Sequence, residues 1–300
     1  MLMDPNQLAA LAAIVRHGSF DAAAAHLKVT PSAISQRIKA LEEQMGTALI
    51  YRGQPCVPTS AGTRLARHAD DVALLEARVM DDVAPASRVS APRVRIAVNA
   101  DSLATWFVAA LAQSSDMLFE LVIDDQDTST DWLLRGAVSA AVTGEAKAVS
   151  GCNCQSLGAL RYVATASPDY IARWFDKGVT AEALECAPVL TFNTKDKLQH
   201  RWISQSTGLS LMPPAHQLPS THAFVDAALV GLGWGLNPLP LVAEHLKSGS
   251  LVPLISDQPM DVRLYWQTSR LMSAALDPLT RGIKAVAAEH LIKNSHRTVI

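Results

Sequence analysis

The stretch GSFDAAAAHLKVTPSAISQRIKALEEQMGTALIYR, residues 18–52, decides how the first part of this chain folds. It opens with Gly18, a usual helix stop, after a segment in which Leu8, Leu11, Ala12 and Val15 keep the i, i+3, i+4, i+7 spacing of an amphipathic helix. Residues 20–27 read as a second short helix, rich in alanine, whose small side chains let another helix approach closely. Lys28 and Val29 leave room only for a turn. Thr30 and Pro31 then open a third helix, because threonine caps well and proline is favoured at the first helical position. In that helix Ile34, Ile38, Leu41 and Met45 share one face. Ser32, Gln36, Lys39 and Glu43 fall opposite, with Ser35 on the flank. Two short helices, a tight turn and a third helix with such a polar edge describe a helix-turn-helix, whose last helix reaches base edges and phosphates. On periodicity alone, an ordinary three-helix surface with solvated polar residues fits equally well.

Charge adds a weaker signal. Residues 1–68 carry seven basic and four acidic side chains, a net +3, so the rest of the chain holds −5 of the overall −2. A basic head on an acidic body suits a nucleic-acid module joined to something else. Hydrophobic residues make up 49% of the 300 and charged residues 18%, enough apolar material for large cores. No apolar run is long enough to span a bilayer, and the start lacks the pattern of a signal peptide, so a cytoplasmic protein is expected. Four cysteines, with Cys152 and Cys154 one residue apart, read best as reduced thiols. No metal-ligand cluster or cofactor motif is visible, and neither a metal nor a cofactor is expected.

The stretch 18–52 closely resembles the signature of the LysR-type regulators: an alanine pair, a serine-centred recognition helix, the pair Leu41 and Glu42, Gly46, and a wing ending in Arg52. Thr59, Ser60, Ala61 and Gly62 match that family's Thr-x-x-Gly start of a linker helix. The resemblance implies that Ser32, Ser35, Gln36 and Lys39 face the major groove, that Arg52 reaches a phosphate or the minor groove, and that Thr30 and Pro31 belong to the same DNA-binding set. Arg37 sits nearer the buried face. Residues 60–82 contain no proline, and Leu65, Val72 and Val79 recur every seven residues, with Leu75 between. That stripe fits either a helix packed on its own domain or, as the family implies, a linker helix that pairs two subunits.

Residues 83–92, with two prolines and two serines, read as a linker. Beyond them the pattern alternates. Strands are expected at 94–98, 118–123, 139–143, 162–165, 189–192 and 262–267. Helices are expected from about 103, and at 129–135, 168–175, 224–230, 240–247 and 276–292. The fold class is therefore mixed: an all-α winged helix-turn-helix, then an α/β domain long enough for two lobes, which the family resemblance implies is periplasmic-binding-protein-like. The divisions read as 1–59 for DNA binding, 60–92 for the dimerising helix and hinge, and 93–300 for the effector domain. Its first lobe takes about 93–164 and 267–300, its second about 165–266.

Ligands in open α/β sheets sit at the carboxyl ends of strands, beside helix N-termini. Asn99, Asp101 and Ser102 form one such turn, Thr221 and His222 open another helix, and Thr143 ends a strand. Hydroxyls and free amides there suit a carboxylate, although plain helix capping explains each Ser or Thr as well. Asp124 and Asp125 end a strand and either hold a cation or form a solvated loop. A carboxylate site facing an acidic one points to a basic or zwitterionic amino acid. Residues 97–107, AVNADSLATWF, are similar to the lysine- and arginine-responsive ArgP and LysG branch of the LysR-type regulators. Leu134 to Gly136, the run Gly231 to Gly235 and Leu264 to Gln267 extend the match. It implies double-stranded DNA, RNA polymerase, a lysine or arginine effector and a second copy as partners, in a dimer or tetramer, and control of an amino-acid export gene. Where relatives tend to carry Glu-Asp-Glu, this chain has Asp124, Asp125 and Gln126. The alternative is an architectural or replication-linked DNA binder without an effector. No Gly-x-Ser-x-Gly elbow surrounds Ser102 or Ser220, so an enzyme is not expected.

Overall fold

The computed structural model describes residues 3–83, 91–123 and 129–293. Asp124 and Asp125, and residues 84–90 of the linker, lie outside the described residues. By compactness the chain divides into one unit of Met1–Arg95, Asp116–Glu120 and Arg135–Ser139 and a second of Ile96–Ser115, Leu121–Leu134 and Ala140–Ile300.

The first unit begins with helices α1 (Pro5–His17), α2 (Phe20–Leu27) and α3 (Pro31–Met45). Each is capped by the side chain that precedes it. Asp4 accepts from Asn6 N–H at 2.8 Å, Ser19 from Ala22 at 3.0 Å and Thr30 from Ala33 at 3.2 Å. Gly18 and Gly46 close α1 and α3 in the left-handed conformation. Leu8, Leu11 and Ile14 of α1, Ala23 and Ala24 of α2, and Ile34, Ile38 and Leu41 of α3 form one core. Each fully buried Ile or Leu there contributes roughly 1.5–3 kcal/mol.

Strands β1 (Ile50–Tyr51) and β2 (Val57–Pro58) pair antiparallel as the wing, and α4 (Ser60–Val83) follows. The signature residues have structural work at this junction. The Glu42 carboxylate accepts from Leu49 N–H at 2.8 Å and from Ile50 N–H at 3.3 Å, tying α3 to the wing. Thr59 donates to the Ala48 carbonyl at 2.9 Å and accepts from Gly62 N–H at 3.0 Å. A Cβ on Gly62 would lie 2.0 Å from the Leu49 carbonyl oxygen, so no larger residue fits. The expected stripe on α4 divides. Leu65 packs against the core of this unit, while Leu75 and Val79 are exposed.

The remaining strands are β3 (Arg93–Val98), β4 (Leu118–Ile123), β5 (Ala140–Thr143), β6 (Cys152–Ala166), β7 (Val189–Thr191), β8 (Ala215–Gln217), β9 (Gly235–Pro238), β10 (Val252–Pro253) and β11 (Met260–Ser269). The helices are α5 (Ala100–Ser102), continued through a π-helical turn at Leu103–Phe107 into α6 (Val108–Leu111), then α7 (Ser129–Leu134), α8 (Pro168–Trp174), α9 (Ala181–Cys186), α10 (Leu198–Thr207), α11 (Thr221–Leu229), α12 (Leu239–Ser248) and α13 (Asp277–His290). The main sheet runs β10-β6-β11-β5-β3-β4, with β9 also on β6. The pair β3 and β5 is parallel; β11 lies antiparallel to both β5 and β6. A separate parallel pair joins β7 to β8.

Several expected boundaries move for local reasons. The helix expected from about 103 starts at Ala100, directly after β3, so Asp101 and Ser102 occupy its first turn. The helix expected at 224–230 starts at Thr221, because the Ser220 hydroxyl accepts from Ala223 N–H at 3.4 Å. The strand expected at 162–165 is the end of the much longer β6, which continues through Gly158 at φ 125°. Helices α9 and α10 and strands β8, β9 and β10 are not legible in the alternation. All but α10 are short, and β9 is Gly-Leu-Asn-Pro, a turn-like composition held in the sheet by pairing with β6.

Candidate functional site

Each unit carries one candidate surface. In the first unit, α3 turns Ile34, Ile38 and Leu41 inward and leaves Thr30, Pro31, Ser32, Gln36 and Lys39 exposed. Ser35 and Arg37 are half-buried on the flanks. The first turn is stiffened by a 2.9 Å hydrogen bond between the Thr30 and Ser32 hydroxyls. Lys39 keeps only a loose contact with Glu43, 3.8 Å apart on the exposed face, and stays available to a phosphate. Arg52 follows β1 with its guanidinium 5.4 Å from the centre of the Phe20 ring. Arg52 and Ser35 line one groove with Phe20, Gly53, Gln54 and Cys56, so wing and helix present their polar groups together. A helix edge of hydroxyls, one amide and one ammonium, with an arginine beside it, is chemistry suited to base edges and phosphates.

In the second unit Asp101 is the centre. Thr221 donates to its Oδ1 at 2.8 Å and Tyr162 donates to its Oδ2 at 2.7 Å. Residues far apart in sequence thereby fix one carboxylate. The cleft beside it is lined by Asp101, Asp196, Gln199, Thr221 and Asn237 among others. Asp196 accepts from Phe192 N–H at 2.9 Å and from Leu198 N–H at 3.0 Å, which caps α10 and holds its charge at the rim. Gln199 and Asn237 are buried, and the side-chain oxygen of each finds no hydrogen-bond partner among the described residues. A buried acceptor left empty is costly. Two such acceptors beside two carboxylates make a site complementary to donors, and above all to a cation.

The other expected residues divide. Ser102 is fully buried, and its hydroxyl has no partner among the described residues. Asn99 is buried at the end of β3. Thr143 is not at this cleft: it donates to the Glu145 carbonyl at 3.3 Å and accepts from Gln267 at 3.2 Å. His222 is exposed, because the helix that buries Thr221 turns its neighbour outward. Tyr162, Asp196, Gln199 and Asn237 were not foreseen. Only Asp196 left a trace, in the turn-forming Asn193 to Asp196 before a helix. Gly235 serves the same place from below: a Cβ on it would lie 2.4 Å from the Phe224 ring.

Residues 5–63 match the family model for the bacterial regulatory helix-turn-helix protein of the lysR family, and residues 87–288 match that for the LysR substrate binding domain. The chain belongs to the LysR family. It is a LysR-type transcriptional regulator of the LysG/ArgP branch; such regulators bind DNA and a small-molecule effector and are not enzymes. The transcriptional regulator LysG of Mycobacterium tuberculosis is 43% identical over 286 residues, which cover 95% of this chain and 94% of that protein. The crystal structure of ArgP from Mycobacterium tuberculosis superposes with a TM-score of 0.79 at 42% identity, covering 98% of this chain and all of that one (100%). Full-length LysG from Corynebacterium glutamicum with bound effector Arg gives a TM-score of 0.64 at 36% identity, covering 97% of this LysR-family chain and 100% of its own. Among the described residues no helix is long and apolar enough to cross a membrane.

Proposed function

We propose that this regulator senses arginine, lysine or a related basic amino acid at the Asp101 cleft and in response controls transcription of an amino-acid export gene. The observation that carries the effector reading is the Asp101 carboxylate held by Tyr162 and Thr221, facing the empty acceptors Gln199 and Asn237. Asp101 and Asp196 take the cationic groups, with Asp124 and Asp125 as further acidic partners. Ser102, Asn99 and the first turn of α11, with Thr221, receive the carboxylate. The bound Arg in the LysG of Corynebacterium glutamicum supports this choice of ligand. The cleft encloses only about 20 Å³, the space of a single water, so an amino acid enters as its walls separate. That movement is what effector binding changes.

Thr30, Pro31, Ser32, Ser35, Gln36 and Lys39 contact the major groove and Arg52 the backbone or minor groove. One such module covers too few base pairs for useful specificity, so two copies pair into a homodimer, or a homotetramer, and act on RNA polymerase in the cytoplasm. The exposed Leu75, Val79 and Val83 of α4, four residues apart and 39%, 59% and 77% accessible, support pairing through that helix. The divisions at residues 59 and 92, and two lobes within 93–300, belong to the same reading. Calorimetric titration of the full-length protein with the twenty amino acids tests it. Arginine or lysine binding most tightly is the expected result; a preference for acidic or apolar amino acids would refute the effector assignment.

A further inference from the structure

A second cavity, larger than the Asp101 cleft, lies wholly within the first unit. It holds about 190 Å³ between α4, the start of β3, Glu120 of β4 and the turn before β5. Three arginines line it, Arg67, Arg93 and Arg95, with three carboxylates, Asp70, Asp71 and Glu120. The formal charges cancel, but the pairing does not. Asp70 is taken by Arg16 at 2.9 Å, Glu120 by Arg95 at 2.9 Å, and Asp71 accepts from the Ser139 hydroxyl at 3.1 Å. Among the described residues no ion pair forms to Arg67 or Arg93. The Nε of Arg67 is buried and has no hydrogen-bond partner among the described residues. Burial and the neighbouring Arg95 charge hold the Arg67 guanidinium below its usual range, against the opposing pull of Glu120. Asp70 likewise attracts Arg93, but each of these carboxylates is paired to another arginine, so a partly buried guanidinium keeps an N–H donor unmatched and has room for an anion. Val15 and Val138 give the same cavity an apolar wall, against which a short carbon chain can lie.

We propose that this cavity is a second small-molecule site, in which Arg67 and Arg93 bind an oxyanion, either the carboxylate of a small organic acid or inorganic phosphate. It is separate from the amino-acid cleft: no residue lines both. Its occupant would clamp α4 to β3, and so act on the helix that follows the wing.

Calorimetric titration of the full-length protein with sodium propionate and, separately, with inorganic phosphate, at constant ionic strength, tests this. Propionate has no ammonium group to meet Asp101 or Asp196. The expected result is saturable binding of at least one probe that persists under saturating arginine. Arg67→Gln and Arg93→Gln each weaken it about tenfold or more, as the loss of one charge-assisted hydrogen bond should. Arg67→Lys, which keeps the charge, retains part of the binding while melting at the same temperature as the parent. The tighter probe identifies the source of the oxyanion. Absence of saturable binding with either probe, displacement by arginine, or full binding in both glutamine variants would overturn the proposal.

Discussion

Asp101 shows how much one residue can hold. Its two oxygens are oriented by Thr221 and Tyr162, so the carboxylate is held in one orientation. Asp101→Asn keeps the shape and removes the charge. Arginine affinity should fall about tenfold to a hundredfold, the range for a hydrogen bond to a charged group, measured by calorimetry. Tyr162→Phe removes only one orienting donor and should weaken binding by roughly tenfold or less, while the melting temperature stays close to that of the parent. Gly62 makes the opposite point, since it has no side chain to offer. Its Cβ position is occupied by the Leu49 carbonyl, so Gly62→Ala should cost about 1–3 kcal/mol in denaturant unfolding. Residues of this kind differ in how visible they are from the sequence. Asp101 and Thr221 sit in strand-to-helix turns, where local pattern points to them. Tyr162 lies within a long strand and Asn237 in a turn-like one, and only the tertiary fold brings either to the cleft.

At the scale of elements, α3 and α4 carry the DNA half of the account. Much of α3 was legible: the Thr30 cap, Pro31 at the first position and the inward stripe are local chemistry, and local chemistry is what sequence records. Helix α4 was half legible. Its seven-residue stripe suggested one continuous face, yet Leu65 is spent on the core while Leu75 and Val79 face out. Short elements such as α9 and β9 escaped because they are held by neighbours rather than by their own periodicity. Two tests belong here. Val79→Asp places a charge in the exposed stripe and should shift the protein toward monomer in light scattering, with the fold unchanged by circular dichroism. Ser35→Ala combined with Gln36→Ala should leave α3 folded and remove operator preference, while arginine still binds. Loss of both functions together would mean that this face of α3 is structural.

For the whole molecule the claim is that a DNA-reading face and a cation-accepting cleft, built in different compact units of one chain, are energetically coupled. The coupling is reciprocal: whatever arginine does to operator affinity, operator does to arginine affinity. The proposed phosphate contacts of Lys39 and Arg52 predict that operator affinity falls steeply with added salt and that this dependence weakens when either is replaced by alanine. The most direct measurement is fluorescence anisotropy of a labelled duplex from the promoter beside the protein's own gene. The full-length protein and Asp101→Asn are titrated with and without saturating arginine at fixed salt. The account predicts sequence-preferring binding whose affinity changes with arginine in the parent and does not change in Asp101→Asn. An arginine response of equal size in both proteins would contradict it.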